Sequence, residues 1–382
     1  MEGTERPGGA NAPRLSPSFF RGPDGWPYLL VPLIPAAIVL ELVHAEATIV
    51  FAASALGIVP TAALMGRATE ELAARSGPGI GGLLNVTFGN APELIIALFA
   101  LNEGLQEVVK ASIIGSILGN VLLVMGAAMF FGGLRRDRQT FSATAASVQS
   151  TMLMLAATAM VMPAIFELVE GKGLPDPGAE LVEYGSTVEH LSLAVAIVLM
   201  ITYAAGLLFS LRTHRDIFNP PYEEDEDAWG WSVRTSVTML AVAGLAVGVM
   251  SEILVGSISE ASESVGLSEF FIGVIVVAIV GNAAEHWVAV LVAVKNKMDL
   301  AVNIAIGSSA QVALFVAPVL VIASFVIGPA PMPLVFNGFE LGAILVAILV
   351  ANYVTQDGES TWFEGAQLIA LYAILGIAFY YA

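Results

Sequence analysis

The stretch Gly89-Asn-Ala-Pro-Glu93 returns later in the chain as Gly281-Asn-Ala-Ala-Glu285. The distance between the two copies, from residue 89 to residue 281, is 192 residues. Both copies lie in apolar surroundings, so a glycine, an asparagine and a carboxylate interrupt an otherwise hydrophobic helix at two matching places. The pattern indicates a duplicated structural unit and directs attention to its two glutamates.

A second pair of motifs keeps the same spacing. Gly115-Ser116 recurs as Gly307-Ser308, again 192 residues later. A constant offset that extends over two consecutive helices and their connection is not expected by chance. We therefore interpret the chain as an internal repeat of at least two helices per half.

The composition is that of an integral membrane protein. Of the 382 residues, 57% are hydrophobic and only 13% are charged, whereas soluble domains average about 25% charged residues. Apolar runs long enough to cross a bilayer recur over the whole length, and one large soluble core cannot contain so many of them. The absence of cysteine excludes disulfides and a thiolate metal site.

The hydropathy pattern predicts an all-α membrane protein with eleven transmembrane helices. The predicted spans are residues 27–43, 46–66, 80–102, 109–131, 143–168, 189–211, 233–257, 268–293, 300–325, 334–352 and 366–382.

The distribution of lysine and arginine predicts the orientation. With eleven spans, thirteen of the fifteen basic residues lie on the side of the N terminus, and only Lys110 and Lys172 lie on the other side. The positive-inside rule then places the N terminus in the cytoplasm and the C terminus on the opposite side. The predicted location is the cell membrane, and an organellar membrane is the alternative.

The two repeats are predicted to be inverted in the membrane. Five spans, an odd number, separate the equivalent helices, and inverted repeats that meet at mid-membrane are a transporter architecture. The predicted organisation is a disordered tail (1–26), an extra helix (27–43), a first five-helix repeat (44–211), an acidic cytoplasmic linker (212–231) and a second five-helix repeat (232–382).

Glu93 and Glu285 are the residues expected to carry the chemistry. A carboxylate at the centre of a bilayer costs about 2.5–3.5 kcal/mol and persists where it is partnered, protonated or functional. Asn90 and Asn282 precede them by three residues and share their helix faces. Carboxylates, amide oxygens and freed backbone carbonyls form an all-oxygen set that suits calcium.

The glycines and Pro92 are expected to weaken the helices at this point. Gly89 and Gly281 lie next to the glutamates' helical turns, and Pro92 lacks an amide hydrogen. A broken helix exposes backbone carbonyls to a cation at membrane depth.

The next helix of each repeat carries further polar side chains, which either line the ion path or pack helices together. His286, directly after Glu285, either relays a proton or bonds to a neighbouring helix. The polar side chains on the next helix of each repeat are Ser116, Asn120, Ser308, Ser309 and Gln311.

An acidic run lies in the linker between the repeats and contributes to a net charge of −18. It either senses cytoplasmic calcium or is a solvated linker. Its residues are Glu223, Glu224, Asp225, Glu226 and Asp227. Because the enzyme signatures for metalloproteases and phosphate-binding loops are absent, we expect a protein that is not an enzyme, uses no cofactor and binds no nucleic acid.

These motifs resemble those of the calcium/proton exchanger family within the calcium/cation antiporters, over residues 27–382. The resemblance rests on Gly89-Asn-Ala-Pro-Glu-Leu94, Gly281-Asn-Ala-Ala-Glu-His286, Gly115-Ser-Ile-Leu-Gly-Asn120 and Gly307-Ser-Ser-Ala-Gln311. It implies one extra helix, two inverted five-helix repeats and an acidic linker. It also implies that Glu93 and Glu285 are the essential glutamates and that His286 is linked to cation/proton exchange.

The predicted function is antiport of cytoplasmic calcium against protons by alternating access, with Glu93 and Glu285 binding either the cation or protons. One departure concerns the second motif, where the family commonly has a proline and this chain has Ala278. The alternatives are a sodium/proton antiporter, whose ion the same oxygens accept, and a membrane calcium sensor that transports nothing.

Overall fold

The computed structural model describes residues 17–20, 22, 25–177, 184–213 and 230–382. The acidic run at residues 223–227 and residues 1–16 of the predicted tail lie outside this described part. Buried side chains from both halves of the chain form one continuous apolar core.

The described residues are mostly helical, with one short antiparallel ladder that pairs residues 139–140 with residues 359–360. The 3-10 helix is Trp26–Leu30 and the strands are β1 (Gln139–Thr140) and β2 (Glu359–Ser360). The helices are α1 (Pro17–Phe20), α2 (Leu33–Leu42), α3 (Ala47–Gly89), α4 (Ala91–Asn102), α5 (Gln106–Gly133), α6 (Ala143–Val169), α7 (Ser186–Thr213), α8 (Val233–Gly256), α9 (Ile258–Val265), α10 (Glu269–Val294), α11 (Met298–Ser324), α12 (Gly338–Val354) and α13 (Trp362–Tyr380).

Eight of the described helical segments are long and apolar enough to cross a membrane, by length and composition. Three shorter apolar segments, Trp26–Leu42, α4 and α12, accompany them. The eight segments are Ala47–Ser76 of α3, and α5, α6, α7, α8, α10, α11 and α13. A polytopic helical membrane protein follows from these lengths, whereas the number of eleven spans stays a prediction.

The region between residues 66 and 80 differs from the sequence prediction. Two helices were expected at 46–66 and 80–102, but helical hydrogen bonding continues through α3 to Gly89. A Cβ atom placed on Gly81 would lie only 2.5 Å from the carbonyl oxygen of Ala73, although eight residues of straight helix span about 12 Å. α3 therefore bends sharply between these two residues, in the region where its apolar pattern is interrupted.

The two glutamate motifs differ in backbone structure. In the first, α3 ends at Gly89, Asn90 is non-helical and α4 begins at Ala91 with Pro92 in its first turn. In the second, α10 runs through Gly281 without interruption. Proline lacks the amide hydrogen and its ring clashes with the carbonyl four residues earlier, so the helix breaks only where proline is present. The break expected at Gly281 is absent.

Wider π-helical turns occur at matching positions of the two repeats. α5 contains a π segment at Gly119–Val124, and α11 contains one at Val312–Val316. Shifting the first segment by 192 residues superimposes it on residues 311–316. α10 has a further π segment, Ile272–Val277, before its motif. Such bulges are frequent at functional sites. The segments in α5 and α11 lie a few residues after the two Gly-Ser motifs.

The two ends of the bundle are distinguished by their basic residues. Arg136 donates to the carbonyl oxygen of Val294 (3.0 Å), which joins the loops that follow α5 and α10. We call this the basic end. At the opposite end, Lys110 donates to the carbonyl oxygen of Val335 (2.9 Å), in the segment that precedes α12.

Candidate cation site

Each glutamate lies against the glycine of the other motif. A Cβ atom placed on Gly281 would be 3.2 Å from Cγ of Glu93, and one placed on Gly89 would be 3.4 Å from Oε1 of Glu285. Larger residues at these glycines would compete with the carboxyl groups for space. The two motifs, far apart in sequence, thus form one site by reciprocal contact.

The asparagines and serines of the motifs pair in the same reciprocal way. The hydroxyl of Ser308 donates to Oδ1 of Asn90 (3.2 Å), and Nδ2 of Asn282 donates to the hydroxyl of Ser116 (3.2 Å). Shifting one pair by 192 residues gives the other pair. All four side chains are buried, so each hydrogen bond also satisfies polar groups that have little access to solvent.

The site is asymmetric in its remaining contacts. Nδ2 of Asn90 donates to Oε1 of Gln311 (2.6 Å), and Ser308 also donates to Oε2 of Glu285 (2.9 Å). Gly119 occupies the repeat position of Gln311, so Asn282 has no such partner and donates to the carbonyl of Ala278 instead (3.0 Å). The amide of Asn90 is therefore held at both of its polar atoms.

Two oxygen atoms of the site accept no hydrogen bond from the residues that the structure describes. They are the buried Oε2 of Glu93 and Oδ1 of Asn282, and the first belongs to the side chain that packs on Gly281. Hard oxygen ligands of this kind are what calcium takes in proteins. In the part of the chain that the structure describes, no cluster of three His, Cys, Asp or Glu could hold a metal. A cation here would rely on two carboxylates and neutral oxygens.

His286 faces a different neighbour from Glu285. Its Nε2 lies 3.1 Å from Oδ1 of Asn120 on α5. Successive helical residues point about 100° apart, so the two side chains diverge as their adjacency requires. Because Leu94 and Val312 occupy the equivalent repeat positions, this contact has no counterpart.

The other intramembrane polar candidates do not reach the glutamates. Ser309 donates to the carbonyl of Ala305 (2.9 Å) within its own helix. Glu252 is exposed on the surface of α8. Glu340 is fully buried but forms a capping box with Asn337 at the start of α12.

The candidate residues predicted from the sequence lie together in the structure, but their partners were not predicted. Ser116 and Ser308 were equally compatible with packing and with lining an ion path, and the structure connects them to the motif asparagines. The repeat itself contained the signal, because a predicted inverted pair of units would place equivalent residues around one axis. That symmetry would have paired Asn90 with Ser308 and Asn282 with Ser116.

Known proteins are similar to this chain over most of its length. The family model described as sodium/calcium exchanger protein matches residues 46–212 and 235–381. The chain is 44% identical to a Ca(2+)/H(+) antiporter of Aphanothece halophytica, over 92% of this chain and 95% of the relative. It is 45% identical to the Ca(2+)/H(+) antiporter ChaA of Bacillus subtilis, over 91% of this chain and 96% of that one.

Solved structures have the same fold. Native YfkE matches with a TM-score of 0.78 and 41% identity, covering 93% of this chain and all of that chain. The H+/Ca2+ exchanger CAX matches with a TM-score of 0.69 over 94% of this chain and 92% of that chain. At 15% identity this second likeness concerns the fold alone.

Proposed function

The chain belongs to the sodium/calcium exchanger protein family, and from this membership and its buried site we propose that it is an antiporter that exchanges calcium for protons. Relatives at about 45% identity over nearly the full length are named Ca(2+)/H(+) antiporters. The chain is a transporter rather than an enzyme, and calcium and protons are its transported substrates.

The observation that carries the proposal is the reciprocal packing of Glu93 and Glu285 on the glycines of the opposite motifs. It brings two carboxylates from distant parts of the sequence into one buried site. The unpartnered oxygens of Glu93 and Asn282 support the assignment, because a cation would supply the missing partner.

We assign the cation and protons to Glu93, Glu285, Asn90 and Asn282. Calcium is the metal proposed for the two glutamates. The supporting residues are Gly89, Gly281, Ser116, Asn120, Ser308, Ser309, Gln311 and His286, of which Ser116, Ser308 and Gln311 orient the asparagines.

The proposed architecture is one extra helix followed by two inverted five-helix repeats, residues 44–211 and 232–382. The matching π segments of α5 and α11 support it, as do the paired contacts that are related by the offset of 192 residues. The proposed orientation places the basic end in the cytoplasm. We assign the chain to the cell membrane; relatives named as vacuolar occur in a fission yeast and in rice.

Exchange follows if cation and protons compete for the same carboxylates. Calcium favours ionised glutamates, whereas protons neutralise them and leave no charge to hold the cation. If only a loaded site changes its side of access, an inward proton movement drives calcium out of the cytoplasm. Because the site is buried, two ionised carboxylates that hold neither a cation nor protons would cost free energy. The site therefore binds either calcium or protons.

The experiment is uptake of radioactive calcium into inverted membrane vesicles, with and without an imposed interior-acid pH gradient. We expect gradient-dependent uptake that Glu93→Gln and Glu285→Gln abolish while the protein remains in the membrane. A Glu93→Gln variant that still exchanges calcium for protons at the normal rate would refute the proposed mechanism.

Competing ions separate the alternatives. Sodium that dissipates the gradient without any calcium uptake would reassign the substrate to a monovalent ion and keep the antiporter fold. Vesicles that show no proton-coupled flux of either ion would support a calcium sensor that does not transport.

A further inference from the structure

A pair of amide side chains lies between α6 and α11 near the basic end. Nε2 of Gln149 donates to Oδ1 of Asn303 in a short hydrogen bond. Both residues lie within the first two turns of their helices, and both helices begin at the basic end, since α6 follows Arg138 and α11 follows Lys297. Asn303 is exposed and Gln149 is half-buried. The pair is therefore reachable from that end.

The amide pair lies against Gly307, the residue that precedes Ser308 of the site. A Cβ atom placed on Gly307 would lie 3.4 Å from both Oδ1 of Asn303 and Nε2 of Gln149. The next residue, Ser308, donates to Glu285. Asn303 and Ser308 are five residues apart, which corresponds to about 7.5 Å along the helix axis. The amide pair therefore lies within about two helical turns of the contact between Ser308 and Glu285.

The repeat-equivalent positions near the opposite end are apolar and closed. Leu341 and Ala111 replace the two amides. Gly115, the counterpart of Gly307, is sealed, because a Cβ atom placed on it would lie only 2.0 Å from the carbonyl oxygen of Val274. The two halves are thus alike in sequence motif but differ in access. At the glycines that precede the two serines of the site, packing is therefore looser toward the basic end than toward the opposite end.

We propose that the interval between α6 and α11 is the route by which the cation reaches Glu285 from the basic end, and that Gln149 and Asn303 are its entry residues. Their amide oxygens replace part of the hydration shell of the arriving cation, and because they are uncharged they release it onward to the carboxylates. This inference rests on the proposed function, since it deepens the account of the same site.

The natural absence of cysteine makes the test direct, because each introduced thiol is the only one in the chain. Gln149→Cys and Asn303→Cys are made separately, and Ser147→Cys is the matched control. Ser147 is exposed, lies two residues from Gln149 and lines a cleft with Asn352 on the other side of α6. A membrane-impermeant methanethiosulfonate that bears a trimethylammonium group is added to one face of the vesicles at a time.

We expect the thiols at positions 149 and 303 to react only from the face at the basic end. The attached positive charge should lower calcium uptake by about tenfold or more, since it repels a divalent cation inside a confined route. The control at position 147 should react from the same face while uptake changes by less than about twofold, because its cleft is separate from the route.

Two results would overturn the proposal. One is full labelling at position 303, measured by mass, with calcium uptake equal to that of the unlabelled variant. The other is a thiol at either position that reacts only from the opposite face. Failure of the proposed function is distinguishable, because wild-type vesicles would then show no proton-driven calcium uptake before any reagent is added.

Discussion

At the scale of single residues, equivalent positions of the two repeats have different surroundings. Ser308 donates both to Asn90 and to Glu285, whereas Ser116 only accepts a hydrogen bond from Asn282. A serine that orients a carboxylate contributes more to a cation site than one that orients an amide, because hydrogen bonds to charged groups are the stronger ones. The two serines therefore offer a matched comparison.

We expect Ser308→Ala to raise the calcium concentration for half-maximal uptake by about tenfold, the equivalent of one charged hydrogen bond. Ser116→Ala should raise it by only about twofold to threefold, since a neutral contact is lost. The measurement is the calcium dependence of uptake in vesicles at fixed pH gradient. Equal shifts in the two variants would contradict the asymmetry.

The two glycines that precede these serines give a second comparison, in stability. Gly115→Ala places a methyl group 2.0 Å from the backbone of Val274, so a helix must move. We expect a loss of about 1–3 kcal/mol, as for other overpacked sites. Gly307→Ala meets only the ends of two flexible side chains at 3.4 Å and should be nearly neutral. Thermal unfolding in detergent measures both, and similar melting temperatures would count against the closed contact.

At the scale of the element, the break at Asn90 distinguishes the first motif helix from the second. α4 starts anew at Ala91, and Asn90 between the two helices donates its backbone amide to the carbonyl oxygen of Phe88, so the regular helical hydrogen bonding is interrupted next to the site. α10 has no such interruption at Gly281. We therefore attribute any backbone ligands of the cation to the first repeat.

Replacement of the proline that causes the break tests this. We expect Pro92→Ala to restore an amide hydrogen, favour a continuous helix through Asn90 and reduce calcium uptake by about tenfold, because the exposed carbonyls would pair within the helix. Pro163→Ala is the control, since Pro163 is also buried within a helix, α6, but is not part of the site. Unchanged uptake for Pro92→Ala would show that the break serves no ligand.

At the scale of the whole molecule, a buried non-helical segment closes the opposite end. Met332, Leu334, Val335 and Phe336 are fully buried between α11 and α12 although they lie outside any helix. Side chains rather than helical partners satisfy its backbone: Ser192 accepts from the amide of Leu334 (3.0 Å), for example. Non-helical backbone at membrane depth is tolerated where it is buried in protein and its polar groups are paired.

Lys110 connects α5 to this buried segment. It is 1% exposed, forms an ion pair with Glu107 and donates to the carbonyl of Val335. We expect Lys110→Met to destabilise the protein by about 3–5 kcal/mol, because the fully buried lysine loses both its ion pair with the largely buried Glu107 and its bond to the carbonyl of Val335. Lys172 is half-exposed and pairs with Glu170 (3.0 Å) and with the buried Glu167 (3.5 Å), so Lys172→Met should cost less, about 1–2 kcal/mol.

Thermal unfolding of the two lysine variants, both purified in the same detergent, measures the difference. A melting temperature for Lys110→Met that equals that of Lys172→Met would show that the segment before α12 is held by its apolar side chains alone.

The sequence by itself was sufficient for the class of protein and for its family resemblance. Hydropathy is additive along the chain, so most helices of the bundle are predictable from local composition, whereas the end of the span predicted at 46–66 is not, because α3 continues to Gly89. The repeated motif identified Glu93, Glu285, Asn90 and Asn282, because a polar group is rare enough inside an apolar helix to be noticed.

Only the tertiary structure decided how these residues are paired and how tightly each repeat is packed around its serine. Ser116 and Ser308 follow identical glycines, yet one glycine is sealed by the backbone of Val274 and the other faces Gln149 and Asn303. The bend within α3 and the unbroken helix at Gly281 were likewise not evident from local pattern. Contacts between residues more than a hundred positions apart depend on the packing of whole helices, which no local periodicity encodes.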